Sequence, residues 1–129
     1  MKLLLDTHVF LWSVDSPERL TAAAVTALKD PANAVFVSVT SAWEIAIKQS
    51  VGKLTLARPA EQWVPDRIQR AGFEVTPVSL AAALRVRSLP HHHRDPFDRM
   101  LIAQALEDGY TIVTRDNAFA AYGVPILAA

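Results

Sequence analysis

The sequence predicts a three-layer α/β/α domain built around a central parallel sheet of four to five strands. Two observations predict it: short apolar runs typical of strands buried on both faces, and helical patterns with recognisable ends that alternate with those runs. This alternation favours crossover connections, which give a parallel sheet with helices on both sides. No linker, repeat or low-complexity tract interrupts the 129 residues, so we expect one domain spanning residues 1–129.

Five segments are predicted to be strands. Three are continuous apolar runs, at Lys2–Leu5, Ala34–Ser38 and Tyr110–Thr114. A fourth run, residues 73–78, alternates in polarity, and its Pro77 favours an edge position because proline has no N–H for a neighbouring strand. Residues 125–127 are predicted to form a last, short edge strand.

The helices are predicted from their end signals. Ser16, Pro17 and Glu18 offer an N-cap, a proline at the first helical position and an early acid, so a helix is predicted from there to about Lys29. A second begins at Thr40 and ends near Val51, before Gly52. The others are predicted over residues 59–70, 79–87 and 95–109, with a short one over 117–122.

The composition restricts the class of protein without naming a function. Thirteen basic residues balance thirteen acidic ones, whereas a nucleic-acid-binding domain is usually basic. The absence of cysteine excludes disulfides and thiolate metal sites. No apolar run is long enough to cross a membrane, and the run that starts at Met1 is ended by Asp6, which argues against an export signal. We therefore expect a cytoplasmic protein.

Four acidic residues are predicted to meet at one edge of the sheet. Asp6 follows the first strand and Asp116 follows the strand that ends at Thr114. Glu44 and Asp98 lie in the first turns of their predicted helices. Ligands of open parallel sheets gather beyond the carboxyl ends of the strands, so the four carboxylates are candidate ligands of a common site.

Each acid also has a structural interpretation. Asp6 could cap a turn, although a charge at a buried strand end is costly without a partner. Glu44 stands three residues after Ser41, the spacing of a capping box, and helix capping is as good an interpretation as function. Asp98 suits the positive end of its helix, and Asp116 could cap the next one. The functional interpretation therefore depends on the convergence of all four.

Carboxylates that converge raise one another's pKa unless a cation offsets their charge. Oxygen ligands suit Mg²⁺ or Mn²⁺ better than Zn²⁺. Such a cation activates water and stabilises charge on the attacking and leaving oxygens in phosphodiester hydrolysis, a mechanism that needs no nucleophilic side chain. The four acids thus favour metal-dependent phosphodiester hydrolysis.

Four segments resemble the PIN-domain family, and more narrowly the VapC-type toxins of bacterial toxin–antitoxin pairs. They are Leu3-Leu4-Leu5-Asp6-Thr7-His8, the stretch from Ser38 to Ile45, the stretch from His92 to Ala105, and the stretch from Thr111 to Phe119. The resemblance runs from Lys2 to about Leu127. Each segment alone is a modest signal, but the four in this order within a chain of this length are a strong one.

The resemblance implies a Mg²⁺- or Mn²⁺-dependent endoribonuclease whose acidic ligands are Asp6, Glu44, Asp98 and Asp116. It also implies a homodimer and inhibition by a small VapB-type antitoxin whose tail enters the active-site groove. Thr7, Ser38 and Thr114 would be hydroxyl neighbours that orient waters or carboxylates. Asp95 could assist Asp98 through water from the same helix face, and Asn117 is a further supporting candidate.

Basic and histidine residues near the acids remain open in function. Lys48, Arg94, Arg99 and Arg115 are candidates for contacting RNA phosphates. His91, His92 and His93 form a run just before Asp95, which we interpret as a solvated loop that could touch RNA or the antitoxin.

Two other classes of protein compete with a nuclease. A catalytically silent interaction domain of the same fold would bind a regulator without turnover, although the presence of all four acids argues against it. A phosphoryl-transfer or receiver-like module would need other residues. His8 stands where a haloacid-dehalogenase-type phosphatase needs a second Asp, and no lysine follows Lys53 to serve a receiver domain.

Overall fold

A five-stranded, all-parallel sheet forms the centre of the computed structural model, which describes residues 1–129. The strands lie in the order β3-β2-β1-β4-β5. Their bounds are β1 Lys2–Leu5, β2 Ala34–Ser38, β3 Glu74–Thr76, β4 Thr111–Thr114 and β5 Ile126–Ala128. The predicted fold class is confirmed, and β3 with Pro77 just beyond it and β5 are the two edge strands.

Six α-helices and three 3₁₀ segments connect the strands. The helices are α1 Thr7–Asp15, α2 Ala22–Lys29, α3 Val39–Ser50, α4 Ala60–Ala71, α5 Leu80–Arg85 and α6 Pro96–Asp108. The 3₁₀ segments are Pro17–Arg19, Val86–Ser88 and Asn117–Tyr122. None of the helices combines the length and apolarity that a membrane span requires.

The sheet divides the hydrophobic core into two layers. Leu3 and Leu5 join a cluster formed with α1 to α4, whereas Leu4 joins a cluster formed mainly with α6. All three leucines are fully buried, as expected for a strand that packs helices on both faces. The continuous apolar run of β1 is therefore explained by its central place in the sheet.

The prediction of one helix from Pro17 to Lys29 is wrong. The chain forms a 3₁₀ turn over Pro17–Arg19, becomes extended at Leu20, and begins α2 at Ala22 with Thr21 as its N-cap. The Thr21 hydroxyl accepts the Ala24 N–H at 3.1 Å. Leu20 is buried against the core, and this burial outweighs the helical propensity of the segment.

The sequence-based assignment also gave no helix between Asp6 and Ser16, where the structure has α1. This helix begins directly after β1, with Asp6 itself as the N-cap. The remaining predicted boundaries agree with the structure to within a few residues. The strand predicted from Tyr110, for example, begins at Thr111.

The strand order places a topological switch point between β1 and β4. From β1 the chain builds outward through β2 and β3, and it then returns to the other side of β1 to add β4 and β5. At such a point the connections leave the sheet in opposite directions and open a crevice at the carboxyl ends. The order also differs from the 2-1-3-4-5 arrangement of receiver domains, which excludes that alternative.

Candidate active site

Asp6 lies at the switch point, and the structure holds both of its carboxylate oxygens. Its Oδ1 accepts the Val9 N–H at 2.8 Å and caps α1, while its Oδ2 accepts the Thr114 hydroxyl at 2.6 Å. Burial raises the pKa of Asp6 despite these bonds, and the charge of Glu44 adds to the effect. The capping interpretation of Asp6 is therefore also correct, but it does not offset the cost of burying the charge.

Thr114 connects Asp6 to Asp116. Its hydroxyl oxygen also accepts the backbone N–H of Asp116 at 3.0 Å. Asp116 caps the 3₁₀ segment that follows by accepting the Ala118 N–H at 2.9 Å. Partial burial raises the pKa of Asp116, but the bonds from Ala118 and His93 outweigh it and leave this pKa below its ordinary value. Asp116 is thus ionised and readily accessible, with 43% of its side chain exposed.

Asp98 has the most strongly raised pKa of the four acids. It is the third residue of α6, whose N-cap Asp95 accepts the N–H groups of Phe97 and Asp98 at 2.8 and 3.3 Å. Burial raises the pKa of Asp98 to about 7, with further contributions from the charges of Asp95, Asp6 and Glu44. A nearby cation would stabilise the ionised form of such a buried carboxyl group and lower its pKa.

Glu44 is not part of a capping box. Because Ser38 is the N-cap of α3, Glu44 lies in the second turn, where no free backbone N–H needs it. Its carboxylate is buried and is bonded to the Thr7 hydroxyl at 2.7 Å and to Lys48 Nζ at 2.5 Å. This hydrogen bond to Glu44 raises the pKa of Lys48. The helix-capping interpretation is therefore wrong for Glu44, and the interpretation of Glu44 as a residue of the acidic site is the one left.

His93 belongs to the site, although the sequence did not single it out from its two neighbours. Its Nε2 lies 3.0 Å from Asp98 Oδ2 and 2.8 Å from Asp116 Oδ2. One ligand atom from each of His93, Asp98 and Asp116 lies within 4.8 Å of the others. A run of three histidines cannot show which one turns inward, because that depends on the path of the loop.

The four predicted acids therefore converge, but not equally. Asp98 and Asp116 share the tight cluster with His93, whereas Asp6 and Glu44 are not members of it. The charges of Asp6 and Glu44 still act on Asp98, so all four share one electrostatic environment. The site has a compact centre on α6 and the segment after β4, with two buried acids beside it.

The predicted supporting residues divide into two groups. Thr7 and Thr114 bond directly to Glu44 and Asp6, as expected. The Ser38 hydroxyl instead caps α3 and donates to Gln104 Oε1 at 2.6 Å, so it serves the junction between α3 and α6. Asn117 is the exposed first residue of its 3₁₀ segment, and its side chain makes no hydrogen bond to an acid.

Arg99 does not suit the predicted contact with RNA. It is buried, and its guanidinium group donates to the carbonyls of Pro90, Val86 and Leu89. Arg99 thereby fixes the chain that leads to the histidine run. The sequence could not separate it from Arg94, which is exposed, because burial depends on this loop.

Two of the other basic candidates, Lys48 and Arg115, lie next to the acids. Lys48 is paired with Glu44. Arg115 is exposed next to Asp116, where its guanidinium group donates to the carbonyls of Ala129 and Arg19 and its guanidinium carbon lies 4.5 Å from the ring centre of Trp12. Beside Thr7, a cavity of about 460 Å³ is lined by residues that include His8, Trp12, Lys48 and Lys53. Cationic and aromatic groups thus adjoin the acids on the α1 side.

This arrangement defines a class of protein: a parallel α/β protein that gathers carboxylates at its switch point, where a hard divalent cation can bind. A family model described as the PIN domain matches residues 3–125. The chain belongs to the PIN-domain family.

Curated relatives agree with this assignment. The chain is 31% identical over 126 residues to Ribonuclease VapC22 of Mycobacterium tuberculosis, which covers 95% of this chain and 93% of that protein. Ribonuclease VapC16 of the same organism shares 43% identity over 58 residues, or 42% of this chain and 41% of that protein. The resemblance to VapC-type proteins inferred from the sequence is confirmed.

Solved structures share the fold at low sequence identity. A chain of VapBC2 from Rickettsia felis, bound to a promoter DNA fragment, matches with a TM-score of 0.71 at 14% identity and covers 99% of this chain and 98% of that one. A chain of DNA-bound VapBC from Salmonella typhimurium matches with a TM-score of 0.67 at 18% identity and the same coverage.

Proposed function

We propose that this protein is a metal-dependent endoribonuclease that acts as the toxin of a toxin–antitoxin pair. The observation that carries the proposal is the carboxylate cluster at the switch point, in which Asp98 has a pKa of about 7 and is short of positive charge. The relative at 31% identity is itself named a ribonuclease, which supports RNA as the substrate.

Mg²⁺ or Mn²⁺ is the cofactor that the donor set favours. Asp98 and Asp116 would hold it, with Asp6 and Glu44 contributing directly or through water. Carboxylate oxygens are the ligands that these cations prefer. The cation supplies an activated water and stabilises charge on the phosphodiester oxygens.

The protein's own residues keep the acids in position. Two hydrogen bonds hold Asp6 against the end of β4, and Thr7 with Lys48 holds Glu44. Fixed carboxylates do not have to be ordered when a substrate arrives, which lowers the cost of assembling the site.

RNA would approach across the α1 side of the site. Lys48, Arg94 and Arg115 would contact phosphates, and the cavity beside Trp12 would accept a nucleotide next to the cleaved bond. Basic groups combined with an aromatic ring are typical of single-strand binding. Because the protein has no net charge, its affinity for RNA would depend on these local groups and on the metal.

The activity is tested with purified, antitoxin-free protein and a structured RNA, with Mn²⁺, Mg²⁺ or EDTA and with a DNA of the same sequence as a second substrate. Asp6→Asn and Asp98→Asn should lower cleavage on the order of 100-fold or more. Asp108→Asn is the matched control, since Asp108 is exposed at the opposite end of α6 from Asp98. RNA that stays intact, or cleavage that Asp6→Asn leaves unchanged, would favour the silent interaction domain.

The partner would be a VapB-type antitoxin. The solved structures with the same fold come from VapBC assemblies, which supports a protein partner of this kind. A short reading frame just upstream, encoding a DNA-binding fold, would identify the candidate. Co-purification of the two proteins, with loss of RNA cleavage in the complex, tests the pairing. A cytoplasmic location fits both an RNA substrate and this partner.

A homodimer is supported by exposed apolar side chains on two helices. On α3, Val39, Trp43 and Ile47 follow at four-residue spacing, and Trp43 is 61% exposed. Leu80 and Leu84 of α5 are also exposed. Apolar groups aligned on a helix face mark an interaction surface. Sedimentation of the wild type should show a dimer and that of Trp43→Asp a monomer, whereas a monomeric wild type would exclude this assembly.

A further inference from the structure

The loop residue His93 stands between two acids of the site. Its Nε2 lies 2.8 Å from Asp116 Oδ2 and 3.0 Å from Asp98 Oδ2, and only 17% of its side chain is exposed. Asp98 belongs to α6, and Asp116 belongs to the segment after β4. His93 is therefore the side chain that directly connects these two parts of the site.

The backbone determines which nitrogen of the ring carries the proton. His93 Nδ1 accepts the Asp95 N–H at 3.1 Å, and a ring nitrogen that accepts a hydrogen bond has no proton of its own. In the neutral ring the proton is then on Nε2, which faces both carboxylates. His93 thus donates through Nε2 to Asp116, and the same nitrogen lies 3.0 Å from Asp98 Oδ2.

Other contacts hold the ring in this orientation. The backbone N–H of His93 donates to the Tyr122 hydroxyl at 2.8 Å, and the ring packs edge-on against the buried Phe119 with the centroids 5.8 Å apart. The Tyr122 hydroxyl also accepts a hydrogen bond from the guanidinium group of Arg99, which holds the chain that precedes His93. These restraints make His93 a fixed part of the site, unlike the exposed His91.

We propose that His93 is a positioning residue: its Nε2–H is bonded to Asp116 and faces Asp98, and this bridge sets the distance between the two acids before the metal binds. This inference rests on the proposed metal-dependent function. Two carboxylates on separate elements repel each other, and a donor placed between them offsets that repulsion. Hydrogen-bond partners of this kind orient the ligands of a metal and strengthen its binding.

Direct coordination of the metal by His93 fits the contacts less well. A coordinating Nε2 must give up its proton, and the neutral ring would then carry it on Nδ1. The Asp95 N–H points at Nδ1, so this change replaces a hydrogen bond with two opposed N–H groups. The ring therefore donates its N–H to the carboxylate side of the site and does not coordinate the metal. Asp98 Oδ1 is then available as a ligand of the cation.

The bridge is tested by titrating Mn²⁺ and Mg²⁺ into metal-free protein, with calorimetry for Kd. His93→Ala should weaken Mn²⁺ binding about tenfold or more. The His93→Gln amide can place an N–H near the position of Nε2, so it should restore Kd to within a few fold. The shorter His93→Asn amide resembles the Nδ1 side of the ring and should bind as weakly as the alanine variant. His91→Ala is the control and should match the wild type.

Two results would overturn the bridge. If His93→Gln binds Mn²⁺ as weakly as His93→Ala, an N–H near the position of Nε2 does not restore the site, and the bridge is wrong. If His93→Ala binds metal more tightly, the histidine merely occupies the place of the cation. Circular dichroism of each metal-free variant confirms that it is folded.

A metal-free measurement separates this inference from the proposed function. Long-range ¹H–¹⁵N spectra of the wild type in EDTA should show the His93 proton on Nε2. A proton on Nδ1 in a protein that still binds Mn²⁺ would overturn the bridge and leave the nuclease proposal standing. The expected Nε2 proton in a protein that binds no divalent cation would overturn the nuclease proposal and keep the bridge as a structural contact.

Discussion

Replacing Asp98 with asparagine should stabilise the metal-free protein at neutral pH. The pKa of Asp98 rises from 3.8 to about 7 on folding, which is about three units. At about 1.4 kcal/mol per unit, ionising the folded carboxyl group costs about 4 kcal/mol of folding free energy above pH 7. Only 20% of the side chain is exposed, so solvent screens this cost weakly. Asparagine has nearly the same shape as the aspartate but develops no charge when the pH rises.

The effect has a defined pH window. The folded state binds the Asp98 proton more tightly than the unfolded chain, so the stability due to this proton is full below pH 4 and is lost as the pH rises through 7. The stability of Asp98→Asn relative to the wild type should therefore grow by about 1.4 kcal/mol per pH unit between pH 4 and 7, and then level off.

Urea unfolding in EDTA at several pH values from 4 to 8 measures this difference. Asp108→Asn serves as the control on the same helix and should show no comparable trend. Addition of Mn²⁺ should reverse the order at pH 8, because the cation stabilises the wild type more than the variant. A stability difference that stays constant between pH 5 and 8, or a less stable Asp98→Asn at pH 8 in EDTA, would refute the reasoning.

Three further outcomes are expected. The Kd for Mn²⁺ should rise about tenfold per pH unit below pH 7, because the Asp98 proton competes with the cation; calorimetry at pH 5.5, 6 and 7 checks this, and a constant Kd would contradict it. Thr7→Val should cost about 1–3 kcal/mol in urea unfolding, since it removes a hydrogen bond to the buried Glu44, and a neutral effect would show that water replaces the hydroxyl. Phe10→Ala should cost about 3–5 kcal/mol, because Phe10 is fully buried edge-on against Trp63, and a loss under 1 kcal/mol would mean that the core closes around the cavity.

The sequence was most informative where local chemistry and burial agree. The run before Asp6 is apolar because β1 packs helices on both faces, and a continuous apolar run can be recognised in the sequence without knowledge of its neighbours. Asp95, Pro96 and Gly109 mark the ends of α6 because they satisfy or terminate the backbone of their own helix. Asp6 and Asp116 follow strands, and parallel strands end at a common edge. The fold class and the four acids could therefore be predicted.

Local signals failed where distant packing decides. Ser41 and Glu44 have the spacing of a capping box, yet the N-cap of α3 is Ser38, whose hydroxyl accepts the Thr40 N–H and also donates to Gln104 on α6. Leu20 interrupts a helix-like stretch because the core across the chain buries it. Arg99 looks like any surface arginine until the carbonyls of the preceding loop surround it.

The sequence by itself thus determined the parallel sheet, its edge of carboxylates and their preference for a hard cation, because residue type and period carry that information. Only the tertiary structure decided which of those carboxylates are buried and which are accessible. It buried Asp98 among other negative charges and left Asp116 accessible, and it turned His93 rather than His91 between them. Distances between side chains on different elements depend on how those elements pack, and no local pattern in the chain records them.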